Sequence, residues 1–288
     1  MHQHQLTCSD RGFTLAELLV ALVLFGIVST AIYQLLVNNQ RMYRQQTQRI
    51  ELSDNVRSAV AILPTDLREL DAQDPRGSDI YAMTDSSITY RAMRTLRWVC
   101  VSQDSTAMLY LDTTQVGLRG FNSTYDSVLV FADHNTMLTK DDEWLHADIT
   151  STPQAANDCA GKSSRRVNIN RYLAVGDDVM QGSPVRGFEV VRVTSYQDMA
   201  GVTWMGMQRL AKSGTWDALE PLVGPLEAGG LQFAYYDSTG AVTVNPALVA
   251  SVQITVIGRT SQLVNLSSGT MGYLVDTLVT QVALRNSR

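Results

Sequence analysis

The stretch Arg11-Gly12-Phe13-Thr14-Leu15-Ala16-Glu17, continuing LLVALVLFGIVSTAIYQLLV from Leu18 to Val37, governs how the rest of this 288-residue chain is read. Between Glu17 and Arg41 there is no charged side chain. A helix needs about 20 mainly apolar residues to cross a bilayer, and Leu18 to Val37 supplies them, with Ser29, Thr30 and Gln34 as the polar interruptions. Gly26 and the two hydroxyls are tolerable there, because a Ser or Thr hydroxyl can bond back to the preceding helical turn. Glu17 stands at the head of this segment, where an ionisable group costs several kcal/mol and requires a partner.

Two plain readings compete for such an N-terminus. A secretory signal peptide also places a basic residue before an apolar run, but here the run is longer than a typical signal core and has no small-x-small cleavage site after it. Hydropathy alone fits a signal anchor equally well, with Glu17 snorkelling to the interface.

Residues 11–22, RGFTLAELLVAL, resemble the processing site of type IV prepilins and type II secretion pseudopilins. The resemblance implies that a prepilin peptidase cuts the Gly12–Phe13 bond and methylates the new terminal amine of Phe13. It also implies a partner for Glu17: the amine of Phe13, in the same chain or in a neighbouring subunit. The expected divisions are a leader over 1–12, a transmembrane half-helix over 13–37, an amphipathic half over 38–74 and a β-rich head over 75–288. The expected partners are the peptidase, other pilin or pseudopilin subunits, an inner-membrane assembly platform, and membrane lipid before assembly. The implied location is the inner membrane with a periplasmic head, then a filament. No proline occurs between Phe13 and Leu63, whereas major pilins commonly bend their apolar helix at one, so a minor pilin or a pseudopilin fits better.

Beyond Val37 the chain turns polar yet stays free of Gly and Pro, so the helix continues out of the membrane. Leu52, Val56, Ala59, Val60, Leu63, Leu67 and Leu70 recur at the three-and-four spacing of an amphipathic face. Pro64 removes one helical hydrogen bond, which predicts a break near Leu63, and Pro75-Arg76-Gly77 ends the periodic region, giving a helix of roughly 50 to 60 residues.

The remainder reads as strands, at 87–90, 98–101, 108–111, 127–131, 189–194, 202–207, 231–236, 251–257 and 278–284, rich in Val, Ile, Thr and aromatics and separated by turn residues. With no long helix between most of them, antiparallel pairing follows. The fold class is therefore α+β, a long hydrophobic N-terminal helix packed on an antiparallel sheet. The run Gly230 to Gly240, the 251–257 strand and the closing strand resemble the C-terminal part of PilW-type minor pilins and J-type pseudopilins. Asp237 to Gly240 reads as a turn. Residues 133–186 carry Pro153, Gly161, Gly176, Gly182 and Pro184 and read as inserted loops on the sheet, or as a small subdomain.

Chemistry-bearing clusters are sparse. Charged residues are 18% of the chain and the formal net charge is −5, so no basic surface suggests nucleic acid. Asp133, His134, Asp141, Asp142, Glu143, His146 and Asp148 lack the loop spacing of a calcium hand and the His spacing of a zinc helix, and read as a solvated loop. Gly161-Lys162-Ser163 ends like a phosphate-binding loop, but Ala156 stands where its first glycine belongs. After leader removal only His134 and His146 remain as histidines, and no Gly-x-Ser-x-Gly elbow is present, so the expectation is a non-enzymatic protein without cofactor or metal. Trp98, Trp204, Tyr235 and Tyr236 read as core aromatics. Cys8 falls in the leader, and the remaining pair, Cys100 and Cys159, in a periplasmic head suggests one disulfide. The rival from another class is a signal-anchored periplasmic binding protein or enzyme that joins no filament.

Overall fold

The computed structural model describes residues 14–73, 77–134, 142–266 and 269–285. Its one α-helix among the described residues, α1, runs unbroken over Leu15–Leu67, 53 residues, about 80 Å at 1.5 Å per residue. The break predicted at Leu63 does not occur. Pro64 costs only the one bond its missing N–H would make to the Val60 carbonyl, and the Arg68 amide still reaches the Pro64 carbonyl at 3.1 Å, so the turn closes around it.

Fifteen strands follow among the described residues: β1 (Ile80–Met83), β2 (Ser87–Trp98), β3 (Thr106–Asp112), β4 (Val116–Gly117), β5 (Ser127–Ala132), β6 (Glu143–Asp148), β7 (Gln154–Cys159), β8 (Lys162–Leu173), β9 (Pro184–Gln197), β10 (Thr203–Arg209), β11 (Glu220–Tyr236), β12 (Ser251–Arg259), β13 (Val264–Asn265), β14 (Met271–Gly272) and β15 (Val275–Ala283). The main sheet has ten strands in the order β1-β2-β9-β10-β11-β12-β15, with β4 added on β2, β5 on β9 and β6 on β5. A smaller sheet has the order β3-β8-β7. Every pairing between these strands is antiparallel.

Two cores result. In the first, the predicted stripe Leu52, Val56, Ala59, Leu63 and Leu67 is buried on the sheet, chiefly on β15, β12 and β11, in one core with Ile88, Val191, Phe233, Ile254 and Val256. Helix and sheet come together closely at Gly258 of β12, where an added Cβ would lie 2.5 Å from Val56 Cγ2 and 2.9 Å from Leu52 Cδ1. Gly258→Ala should therefore destabilise the folded head by about 1–3 kcal/mol through overpacking. Chemical denaturation of the full chain in detergent measures it, and an unchanged midpoint would show that the helix shifts freely on the sheet.

The second core joins the two sheets, with Val128, Val130 and Leu145 facing Leu109, Leu111, Val167 and Ile169. It corrects the reading of 133–186 as inserted loops: β6, β7, β8 and the start of β9 occupy that stretch. In β8, KSSRRVNINRYL, mainly Ser164, Val167, Ile169 and Leu173 point inward, so its polar outer face hid the alternation. Between β7 and β8, Ala160 and Gly161 both have positive φ, 51° and 79°. That is the backbone of a two-residue hairpin turn, and it accounts for Gly161-Lys162-Ser163 without a phosphate.

Strand β2 also corrects the sequence reading, which had separate strands at 87–90 and 98–101. The chain is one strand from Ser87 to Trp98, and its arginines are accommodated by partners: Arg91 pairs with Asp79 at 3.0 Å, and Arg97 donates to the Asp112 carbonyl at 3.0 Å. Cys100 and Cys159 are joined by a disulfide with Cα atoms 5.4 Å apart, which ties the end of β2 to β7 of the small sheet. The bridge closes a loop with a sequence separation of 59, for which chain entropy gives a stabilisation of on the order of 4 kcal/mol. Cys100→Ser with Cys159→Ser should cost about 2–4 kcal/mol, read as a lowered denaturation midpoint. No loss of stability in the double variant would assign the bridge a purely local role.

The turn at Asp237 forms as expected. Its carboxylate accepts from the amides of Thr239 at 2.8 Å and Ala241 at 3.0 Å, and Gly240 takes φ 83°.

Candidate processing and assembly segment

Gly12 and Phe13 lie outside the described residues, so the structure begins beside the predicted scissile bond, at Thr14. Thr14 has extended backbone angles and is the N-cap of α1. Its hydroxyl accepts from the Glu17 amide at 3.2 Å, while Glu17 Oε2 accepts from the Thr14 amide at 2.9 Å and the Thr14 hydroxyl at 3.0 Å. This reciprocal arrangement satisfies two of the free donors at a helix start, and it sets a negative charge against the positive end of the helix dipole. Thr14 thus already gives Glu17 two donors. It also fixes the carboxylate one residue from Phe13.

From Leu15 to Leu36 the large apolar side chains are exposed, Leu15 at 79% and Phe25 at 70%. One 18-residue window of this helix has mean hydropathy 2.4 and none of it is buried, so by length and composition the segment can cross a membrane. Thr30 Oγ1 donates to the Gly26 carbonyl at 2.8 Å, the back-bonding that makes a hydroxyl acceptable in lipid. The first side chain buried against the head is Gln48, whose Oε1 accepts from Ser261 Oγ at 2.9 Å and the Gln262 amide at 3.1 Å. About 50 Å of helix therefore projects ahead of that contact.

The other end of α1 is clamped by charge. Arg94 of β2, 7% exposed, donates from Nε to Glu189 Oε1 at 2.6 Å and from Nη1 to both Asp66 oxygens at 3.0 and 3.1 Å. Arg119 grips Asp126 through two bonds, 2.6 and 2.7 Å, and reaches Glu189 Oε2 at 2.8 Å. Tyr90 donates its hydroxyl to Asp66 at 3.2 Å. Burial works to lower the Arg94 pKa, but the Asp66 and Glu189 carboxylates outweigh it and hold the guanidinium above its usual range. For Tyr90, burial and then the Asp66 charge push the phenol far up, so it stays a donor. Sequence reading missed this cluster. Its only local sign is Arg91, Arg94 and Arg97 within one stretch.

The acidic stretch 133–148 is dispersed rather than gathered. His134 Nε2 lies 3.6 Å from Glu143, and His146 Nε2 lies 3.9 Å from Asp148 on β6. Residues 135–141, including Asp141, lie outside the described part. Among the described residues no group of three potential metal ligands comes together. The aromatics Trp98, Trp204 and Tyr236 are half-buried and Tyr235 is buried in the first core.

Residues 8–33 match the prokaryotic N-terminal methylation motif. No solved structure matches the chain. The motif spans Gly12, Phe13 and Glu17 and ends within the exposed apolar half of α1, so motif and geometry together support a precursor of the type IV pilin or pseudopilin kind, handled by a prepilin peptidase. The same two features are consistent with a single-pass membrane-anchored protein.

Proposed function

We propose that this chain is a minor pilin-type structural subunit, cut after Gly12, N-methylated on Phe13, and assembled into or priming a type IV pilus filament. The observation that carries this reading is the coincidence of the methylation motif with a helix whose apolar half touches nothing in its own head. In the membrane, lipid covers that surface; in a filament, the corresponding helices of other subunits replace the lipid. Glu17 then sets the register by pairing with the amine of a neighbouring Phe13, a pair worth forming because an unpaired carboxylate is costly in an apolar core. The head stays in the periplasm or outside the cell and acts by contact rather than by catalysis. The lack of a helix-bending proline before Leu63 supports a minor subunit, and it suits a J-like pseudopilin at the tip of a type II secretion pseudopilus equally well.

Glu17→Val tests the assembly role. The variant should insert and lose its leader normally, yet fall about tenfold or more in the sheared filament fraction compared with the wild type. Incorporation at the wild-type level would remove Glu17 from the register and leave the apolar contact as the whole basis of assembly.

A further inference from the structure

A cavity of about 380 Å³ lies between α1 and the β13–β14 hairpin, lined by Arg41, Arg44 and Gln48 of the helix and by Leu263, Val264 and Met271 of the hairpin. No described carboxylate stands in its lining. Along the helix, Arg41, Arg44 and Arg49 are the only charged residues between Glu17 and Glu51, and Glu51 accepts from Gln48 Nε2 at 2.9 Å. The hairpin is apolar where it meets water. Between Arg259 and Asp276 the sequence carries no charge, while Leu263 is 51%, Met271 60% and Tyr273 41% exposed. Its root is held in place: the Thr260 amide donates to the Leu274 carbonyl at 2.9 Å, the Leu274 amide donates to Thr260 Oγ1 at 3.1 Å, and Gln48 accepts from Ser261 and Gln262.

The height of this cavity along α1 indicates what covers it. Leu18 to Val37 is the membrane-length segment, and Arg41 and Arg44 follow Val37 by about 6 and 10 Å at 1.5 Å per residue. The headgroup layer on each face of a bilayer is about 5–8 Å deep, and a long arginine stem lets the guanidinium reach back toward it. Both cations therefore stand at the level of lipid phosphates. The uncharged hairpin stands beside them and carries a tyrosine, a residue that favours that interface. A second copy of this chain fits less well, because its exposed helix has no acid from Leu18 to Ile50 to offer the two arginines.

We propose that the β13–β14 hairpin is a second membrane contact: it rests on the leaflet at the head side of the bilayer, with Leu263, Met271 and Tyr273 dipped into the headgroup layer and Arg41 and Arg44 on the phosphates of anionic phospholipids. The proposal rests on the reading of α1 as a membrane-spanning helix. Phosphate oxygens suit guanidinium groups through charge-assisted hydrogen bonds, and each cation near an anionic surface adds to the attraction. The contact fixes the tilt of the head while the subunit waits in the membrane, and it is released when the helix leaves the bilayer.

The test places a nitroxide on Met271→Cys, with Cys8→Ser to remove the free thiol, in the full chain reconstituted in nanodiscs of phosphatidylcholine with or without phosphatidylglycerol. Labels on Phe25→Cys, inside the spanning segment, and on Val244→Cys, 90% exposed past the Tyr236 end of β11, give the lipid and water references. In the phosphatidylglycerol discs, accessibility to oxygen relative to a nickel chelate should be severalfold higher at residue 271 than at residue 244. Arg41→Gln with Arg44→Gln should lower the docked-to-free ratio of the hairpin in those discs about tenfold or more, the loss expected for two cations at an anionic surface, and leave it unchanged in phosphatidylcholine alone. The proposal is overturned by water-like accessibility at 271 while residue 25 reads as lipid, which leaves the hairpin to another subunit, or by indifference of 271 to the two arginines. Water-like accessibility at residue 25 overturns the membrane-spanning reading itself, and the proposal with it.

Discussion

Gly12→Glu leaves the leader on. In cells with active prepilin peptidase, the wild-type chain should yield an N-terminal peptide beginning with methylated Phe13, and the variant should yield one that retains residues 1–12, with processed product reduced to background. The reasoning joins chemistry to position. A bond cut after glycine is approached without a side chain on one flank, and a glutamate there adds bulk and charge next to the scissile carbonyl. The consequence reaches beyond the cut. Without it no free amine exists at Phe13, and the Glu17 carboxylate, which the capping box holds one residue away at Thr14, keeps only neutral donors. The variant should therefore insert in the membrane and be missing from filaments. Wild-type protein that retains its leader in such cells would instead favour the simple signal anchor.

Arg94→Met should cause a large loss of stability in the head. Arg94 lies between Asp66 on the helix and Glu189 on β9, and Glu189 is 3% exposed. Removing the cation leaves carboxylates in a poorly solvated place, a situation that costs about 3–5 kcal/mol when one partner of a buried pair is deleted. Arg119 still serves Glu189 and Tyr90 still serves Asp66, which places the expected loss at the lower end, about 3 kcal/mol. Denaturation followed by tryptophan fluorescence measures it. Adding Asp66→Asn to Arg94→Met should restore part of the loss, because the second change removes a stranded charge. A loss under about 1 kcal/mol would class the cluster with exposed ion pairs. No additional recovery in the double variant would mean that packing by the arginine stem, rather than charge, holds the helix end.

The long helix was legible because its signals are local. An uncharged run from Leu18 to Gln40 and an apolar stripe from Leu52 to Leu67 are periodicities that one strand of text displays. Glu17 stood out because a charge at the edge of such a run is physically expensive. Strands with alternating buried Val and Ile, such as Ser251–Arg259, were equally plain. Strands whose outer faces are polar, β6 to β8, were not, because half their residues carry the signature of a loop.

The sequence by itself determined the membrane-length helix, its amphipathic continuation, the antiparallel class of the head and the methylation motif at its start, since each depends on neighbours within a few positions. The tertiary structure alone decided the rest. Arg94 meets Asp66 across 28 positions and Glu189 across 95, so nothing local could mark them as partners, and whether an arginine in a strand breaks it or anchors it depends on those distant carboxylates.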